Sequence, residues 1–170
     1  KLMGELIRFV AAHEVGHTLG LRHNMGASFA TPVEMLRNPE FQKTNGHTSS
    51  IMDYARFNYV AQPEDGVKDL FPRIGDYDKW AIKWGYTWFD DSKTVEEEAA
   101  ILNKWTIERA GNPLYFYGQQ TGNPIDPRAQ SEDLGDDAIK ASTYGIANLK
   151  RILPNIEKWT YEEGKPYENL

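Results

Sequence analysis

The stretch HEVGHTLGLRH, residues 13–23, constrains the fold of this chain more than any other feature. It holds three of the four histidines in the sequence. On an α-helix, side chains four residues apart stand over one face, so His13 and His17 can reach the same metal ion. Gly20 suits a helix end, because a left-handed backbone conformation costs least for glycine. The chain can then turn back and bring His23 to the same point.

This ligand set predicts a catalytic zinc ion. Three imidazoles leave a fourth position open, whereas a structural zinc site is closed by four protein ligands. Glu14 lies beside His13 on the helix and can reach a water molecule at the metal without binding the metal itself. Iron oxygenases more often use two histidines and a carboxylate, so the sequence favours them less. H-E-x-x-H alone can occur by chance, and the fixed offsets of Gly20 and His23 make the pattern specific.

Composition excludes several other classes. The chain has 170 residues and a net charge of −6, with no block of lysine or arginine, which disfavours nucleic-acid binding. No apolar run approaches the roughly 20 residues of a membrane span. There is no cysteine, so disulfides and thiolate metal sites are ruled out.

Apolar periodicity predicts a mainly α-helical chain. Residues 2–20 form the first predicted helix, in which Leu6 and Val10 should bury the metal-binding face in a core. Thr31, Pro32 and Glu34 fit a capping box for a short helix, and residues 43–50 read as a loop.

Three further helices are predicted downstream. One runs from Asp76 to Trp84 and ends at Gly85, and a last long helix ends at Pro154. Between them, a capping box of Thr94 and Glu97 begins a helix that Gly111 ends. Residues 111–137 read as a long loop with one short strand at 115–117.

The sequence resembles the metzincin clan of zinc endopeptidases through H-E-x-x-H-x-x-G-x-x-H and a second pattern, SIMDY at 50–54. Met52 matches the methionine turn beneath the metal, although ordinary core packing is the alternative for this residue. Tyr54 matches a tyrosine that approaches the zinc in the astacin-like and serralysin-like branches. NYVAQP and DPRAQSEDLGDDA are similar to segments of large bacterial zinc proteases with a metzincin-like domain.

The resemblance implies a peptidase that acts on peptides or proteins with Zn²⁺ as cofactor. It assigns the metal to His13, His17 and His23 and the catalysis to Glu14 and Tyr54. It also implies a secreted, periplasmic or cell-surface location. Arg56 or Phe57, which follow the methionine turn, would shape the pocket for the substrate side chain beyond the cut.

The resemblance further implies the lower, C-terminal part of a metzincin catalytic domain, with the N-terminal sheet absent. Residues 1–90 would hold the active-site helix, the methionine turn and a closing helix, and 91–170 a helical extension packed on it. We expect the chain to be an inactive piece of a longer protease. A non-catalytic binding or structural module that keeps the zinc site is the alternative. Glu14 argues against that module, since metal binding does not need this glutamate.

A few residues outside the motifs call for simpler interpretations. His47 has no ligand spacing and reads as a solvated loop histidine. The five tryptophans read as buried or partly buried packing residues. The acidic residues of 126–137 lack the spacing of a calcium loop, so we expect them to cap the last helix, where negative charge is favoured. They are Glu132, Asp133, Asp136 and Asp137.

Overall fold

The computed structural model describes residues 2–119 and 126–166, and within them the chain is mainly α-helical with no strand. Residues 120–125 of the predicted long loop lie outside the described residues. The helices are α1 (Leu2–Thr18), α2 (Val33–Leu36), α3 (Pro39–Asn45), α4 (Asp76–Tyr86), α5 (Val95–Arg109), α6 (Ala138–Ile152) and α7 (Ile156–Thr160). Short 3-10 turns lie at Ser28–Ala30, Pro63–Asp65, Pro113–Tyr115 and Leu153–Asn155.

Several predicted helix ends are confirmed by local backbone geometry. Gly20 and Gly111 adopt φ values of 83° and 80°, conformations that favour glycine after a helix. The Thr94 hydroxyl accepts from the Glu97 amide, and the Glu97 carboxylate accepts from the Thr94 amide, so the capping box of α5 is present. The signals for these ends are local in the sequence, and the Tyr86 hydroxyl adds a tertiary hydrogen bond to the Leu19 carbonyl at the end of α1.

The predicted capping box of α2 is wrong. Thr31 precedes an extended Pro32, and the helix begins only at Val33. The carboxylate of Asp136, far along the chain, accepts a hydrogen bond from the Val33 amide at 3.0 Å. A tertiary contact thus replaces the local cap that the sequence suggests.

Two other local predictions also fail. The expected loop at 43–50 begins late, because α3 continues to Asn45 after capping by the side chain of Asn38. The strand at 115–117 is absent: Tyr115 ends a 3-10 turn. One backbone hydrogen bond joins Gly26 N–H to Gly118 C=O at 3.1 Å, and no ladder forms around it.

The apolar core lies between α2, the segment after Met52, and α6. It contains Val33, Leu36, Ala55, Val60, Leu134 and Ala141, with Tyr59 and Tyr144 packed against it. Because the core lies there, the prediction that Leu6 and Val10 of α1 are buried in it is wrong. Leu6 is 37% exposed and Val10 is 51% exposed, so this face of α1 is not buried in the core.

Tryptophan burial divides the five side chains. Trp80 and Trp105 are half-buried, as predicted. Trp84, Trp88 and Trp159 are exposed, by 78% for Trp88, so the expected packing role is wrong for them. In the part of the chain that the structure describes, no helix has the length and apolar character needed to cross a bilayer.

Candidate metal centre

The three histidines of the first motif converge in space. One ring nitrogen from each of His13, His17 and His23 lies within 4.8 Å of the others. The Nε2 atoms of His17 and His23 are 3.0 Å apart. The helical pair and the return after Gly20 therefore bring three imidazoles to one point, a donor set that fits one zinc ion.

Backbone carbonyls fix the orientation of two of these rings. Nδ1 of His13 lies 2.8 Å from the carbonyl oxygen of Ile51, and Nδ1 of His17 lies 3.0 Å from that of Leu21. An N–H at Nδ1 donates to the carbonyl and leaves Nε2 with a free lone pair. This is the usual arrangement around a metal-binding imidazole.

The electrostatics of His23 suit metal binding as well. Burial lowers its pKa, and the neighbouring His17 and His13 lower it further, while Glu14 opposes the shift. A depressed pKa keeps the imidazole neutral near pH 7. Only the neutral ring offers a lone pair to a metal.

Tyr54 and Glu14 border the three imidazoles. The phenol oxygen of Tyr54 lies 3.0 Å from Nε2 of His23, and its ring centroid is 4.6 Å from that of His23. Glu14 follows His13 on α1, and its side chain is exposed. The carboxylate is thus accessible to solvent at the edge of the site.

Met52 lies directly beneath α1. Its side chain is fully buried, and a Cβ atom built on Gly16 would stand 2.3 Å from the Met52 sulfur. Any larger residue at position 16 would push the methionine away from the helix between the two histidines. Gly16 is therefore needed for this contact, although the sequence motif leaves its position free.

Asn24 is a positioning residue that the sequence did not reveal. It directly follows His23 and is fully buried, and its backbone N–H donates to the carbonyl of Met52 at 3.1 Å. Its side chain donates to the carbonyl of Phe116 and accepts from the amide of Gly118. These bonds fix the return of the chain after Gly20, and their partners lie too far along the sequence for any local pattern to show them.

Asp78 holds the segment before Met52 in a similar way. Its buried carboxylate accepts from the Ser50 hydroxyl at 2.6 Å, the Ile51 amide at 2.7 Å and the Gly75 amide at 2.8 Å. Ile51 in turn accepts from His13 through its carbonyl. Asp78 therefore supports the first histidine through one intervening residue.

The prediction of a solvated His47 is wrong. The side chain is fully buried, and burial lowers its pKa to about 4. Asp53, also fully buried, accepts from the Ser28 amide at 2.7 Å, and burial raises its pKa to about 7. Ser49 ties this loop to the Ala27 carbonyl through its amide and its hydroxyl, and the polar sequence of the loop gives no sign of this burial.

The acidic segment 126–137 serves several partners. Asp137 caps α6 by accepting from the Lys140 amide at 3.0 Å, as predicted. The other acids differ from the prediction: Asp136 caps α2, Asp133 accepts from the Ser28 hydroxyl at 3.2 Å, and Glu132 pairs with Arg56 at 2.7 Å. The segment therefore ties α2 and the Met52 region to α6.

Comparison with known protein families identifies the family of this chain. A family model described as Met-zincin matches residues 1–170. The chain belongs to the Met-zincin family. Searches of curated proteins and of solved structures returned no match. Membership in the Met-zincin family confirms the metzincin resemblance and makes the protein a relative of metalloproteases, for which zinc is the implied metal.

Proposed function

We propose that the protein is a zinc-dependent endopeptidase of the Met-zincin family, with His13, His17 and His23 as ligands. The observation that carries the proposal is the convergence of the three ring nitrogens within 4.8 Å. Zinc, when bound there, would act as a Lewis acid and would lower the pKa of a coordinated water. We also propose peptide or protein substrates and a secreted, periplasmic or cell-surface location, and the family relationship supports both.

Glu14 is the proposed general base. Its exposed carboxylate lies next to a ligand and accepts a proton from the attacking water. The same carboxyl group then gives this proton to the departing amine. Because glutamate is not required for holding the metal, its presence favours a peptidase over a non-catalytic module.

Tyr54 is the proposed stabiliser of negative charge on the scissile carbonyl oxygen. Its hydroxyl, 3.0 Å from Nε2 of His23, lies where a hydrogen bond to a substrate carbonyl at the site can form. Met52 serves as the floor of the site by packing on Gly16. We further propose that residues 1–90 carry this machinery and that 91–170 act as a supporting helical extension.

Metal analysis and casein cleavage, both measured on the full-length protein, test the proposal together. His17→Ala should lose most of the bound zinc, because one of three ligands is gone. Glu14→Gln should retain zinc and lose about 10²–10⁴-fold in cleavage rate, the usual contribution of a general base. Glu5→Gln, a partly exposed glutamate earlier on α1 that pairs with Arg8, is the control and should change neither quantity.

Two results would contradict the proposal. Unchanged zinc content in His17→Ala would remove the ligand assignment. Near-parental casein cleavage by Glu14→Gln would remove the general base. Stoichiometric zinc in a protein that cleaves no peptide, either in this chain or in a longer form that includes it, would favour the non-catalytic module.

A further inference from the structure

Two arginines differ from the rest in their ion pairing. Arg22 and Arg109 have no carboxylate partner among residues 2–119 and 126–166. The other arginines pair with acidic side chains at 2.6–2.9 Å; they are Arg8, Arg37, Arg56, Arg73, Arg128 and Arg151. An unpaired guanidinium keeps all of its donors available, and its planar fork matches a carboxylate.

Both unpaired arginines line the same surface groove. Arg109 borders a cavity of about 300 Å³, and Arg22 borders an adjoining cavity of about 510 Å³. The two cavities share Trp80, Thr106 and Tyr117 in their walls, so they adjoin at these three side chains. Their combined size falls within the range of ligand-binding clefts.

Aromatic rings form the floor between the two arginines. The ring of Trp80 lies 5.9 Å from Tyr77 and 5.9 Å from Tyr115, and Tyr77 stacks with Tyr117 at 6.2 Å. The Arg109 guanidinium stands 4.9 Å from the centre of the Tyr115 ring. This stacking holds one face of the guanidinium while its edge remains free for an anion.

We propose that this groove binds an extended acidic peptide segment. Carboxylates of the ligand pair with Arg22 and Arg109, and apolar side chains between them pack on the rings of Trp80 and its neighbours. The choice of a peptide as the ligand rests on the proposed peptidase function. The existence of the groove and its positive charges does not depend on that function. Since Arg22 immediately precedes His23, the groove begins beside the third histidine and is placed to hold a part of a protein substrate away from the cut.

The lining favours a peptide over an acidic glycan. Apart from the arginines and tyrosines, Thr106 and Asn112 are the only hydroxyl and amide side chains that the described residues place in the walls of the two cavities. A sugar chain carries a hydroxyl on almost every carbon, and each hydroxyl that packs on an aromatic ring loses a hydrogen bond to water without replacement, which is costly. A peptide with apolar residues between acidic ones places side chains that need no hydrogen bonds on the rings, and its backbone groups can keep their bonds to water on the open side of the groove.

Fluorescence anisotropy on metal-free protein tests the inference without any cleavage. The probe is a labelled peptide with two glutamates at each end and Leu-Phe-Leu between them. It should bind, and the same peptide with glutamine in place of glutamate should bind at least about tenfold more weakly, since charge-assisted hydrogen bonds are lost. Because zinc is absent, failure of the metal-site proposal would leave this result unaffected.

Variants locate the binding. Arg22→Ala and Arg109→Ala should each weaken binding by about tenfold. Arg22→Lys and Arg109→Lys should lose less affinity, because lysine keeps the positive charge and lacks only the planar guanidinium that can bind both carboxylate oxygens. Arg8→Ala, which removes an exposed arginine of α1 that pairs with Glu5, is the matched control and should bind as the parent does.

Three results would overturn the inference. Equal affinity for the glutamate and glutamine peptides would show that charge plays no part. Parental binding by both alanine variants would place the peptide elsewhere on the surface. Tighter binding of polygalacturonate than of the acidic peptide, lost in the same variants, would assign the groove to an acidic glycan instead.

Discussion

Tyr54 is the side chain whose proposed role depends on a single oxygen atom. Its hydroxyl lies 3.0 Å from Nε2 of His23, while its ring is half-buried beside the histidines. Tyr54→Phe keeps the ring and removes the hydrogen bond, so we expect kcat to fall by about 10²–10³-fold, as for loss of one oxyanion donor. KM and zinc content should change little, because the hydroxyl acts mainly in the transition state. Steady-state kinetics of the full-length enzyme with a quenched peptide substrate measures both constants, and a parental kcat would reduce Tyr54 to a packing residue.

For single residues, the sequence predicts the position of a side chain well where the spacing along a helix determines that position. The offsets of His13, His17 and His23 follow from helix geometry and one glycine turn, and the structure brings the three rings together. His47 and Asn24 have no such spacing. Their burial depends on segments that are distant in sequence, and a polar loop gives no sign that another segment will cover it.

Among the structural elements, the segment 49–52 depends on α4 for its shape. Asp78, in the first turn of α4, accepts hydrogen bonds from Ser50, Ile51 and Gly75. In Asp78→Asn the amide oxygen can still accept from the Ile51 and Gly75 amides, but the acceptor loses its negative charge and the NH₂ group takes the place of the oxygen that accepts from the Ser50 hydroxyl. We expect a loss of about 2–4 kcal/mol in the free energy of unfolding, since bonds to a buried charged group are worth about 1.5–3 kcal/mol each.

Zinc affinity provides the second measurement on Asp78. The Ile51 carbonyl that orients His13 is held by the amide bond to Asp78, so Asp78→Asn should weaken zinc binding by about 10–100-fold, as for other partners of metal ligands. Urea denaturation gives the stability, and competition with a chelator gives the affinity. Asp76→Asn, an exposed acid of the same helix turn, is the control. If Asp78→Asn loses stability but keeps its zinc affinity in the folded state, Asp78 supports the fold without orienting His13.

Helix prediction from the sequence succeeds where the end signals are local. The Gly20 turn and the α5 capping box involve residues within a few positions of each other. The predicted start of α2 is wrong because its cap comes from Asp136. The predicted strand at 115–117 is wrong because Tyr115 ends a 3-10 turn, and the backbone bond to Gly26 is made by Gly118, after the predicted strand. Local patterns cannot show which distant group will satisfy a helix end or an extended segment.

For the whole molecule, buried ionisable groups determine how stability depends on pH. Burial raises the pKa of Asp53 to about 7, and nearby Asp133, whose own pKa is raised to about 6 by burial, adds to the effect on Asp53. A carboxyl with a raised pKa in the folded state keeps its proton where the unfolded chain has already lost it. Stability from Asp53 is therefore fully present below about pH 4 and is lost as the pH rises to about 7. His47 acts in the opposite direction, because its pKa is lowered to about 4 and folding is penalised as the pH falls below about 6.5.

The variant Asp53→Asn isolates the contribution of the Asp53 carboxylate to the pH dependence of stability from the contributions of the other buried groups. The variant cannot ionise at this position, so the free energy of unfolding of the variant minus that of the parent should rise with pH. We expect this difference to rise by up to about 1.4 kcal/mol per pH unit between about pH 4 and 7, and to stay constant above that range.

His47 and Asp133 are present in both proteins, so their contributions to the free energy of unfolding largely cancel in the difference. The exception is the part of the Asp133 pKa that depends on the charge of Asp53. Urea denaturation of metal-free protein at half-unit pH intervals measures the curve, with the exposed Asp91→Asn as the control for losing one negative charge. A flat difference curve for Asp53→Asn would mean that the Asp53 carboxyl ionises as freely in the folded protein as in the unfolded chain, which would contradict its full burial.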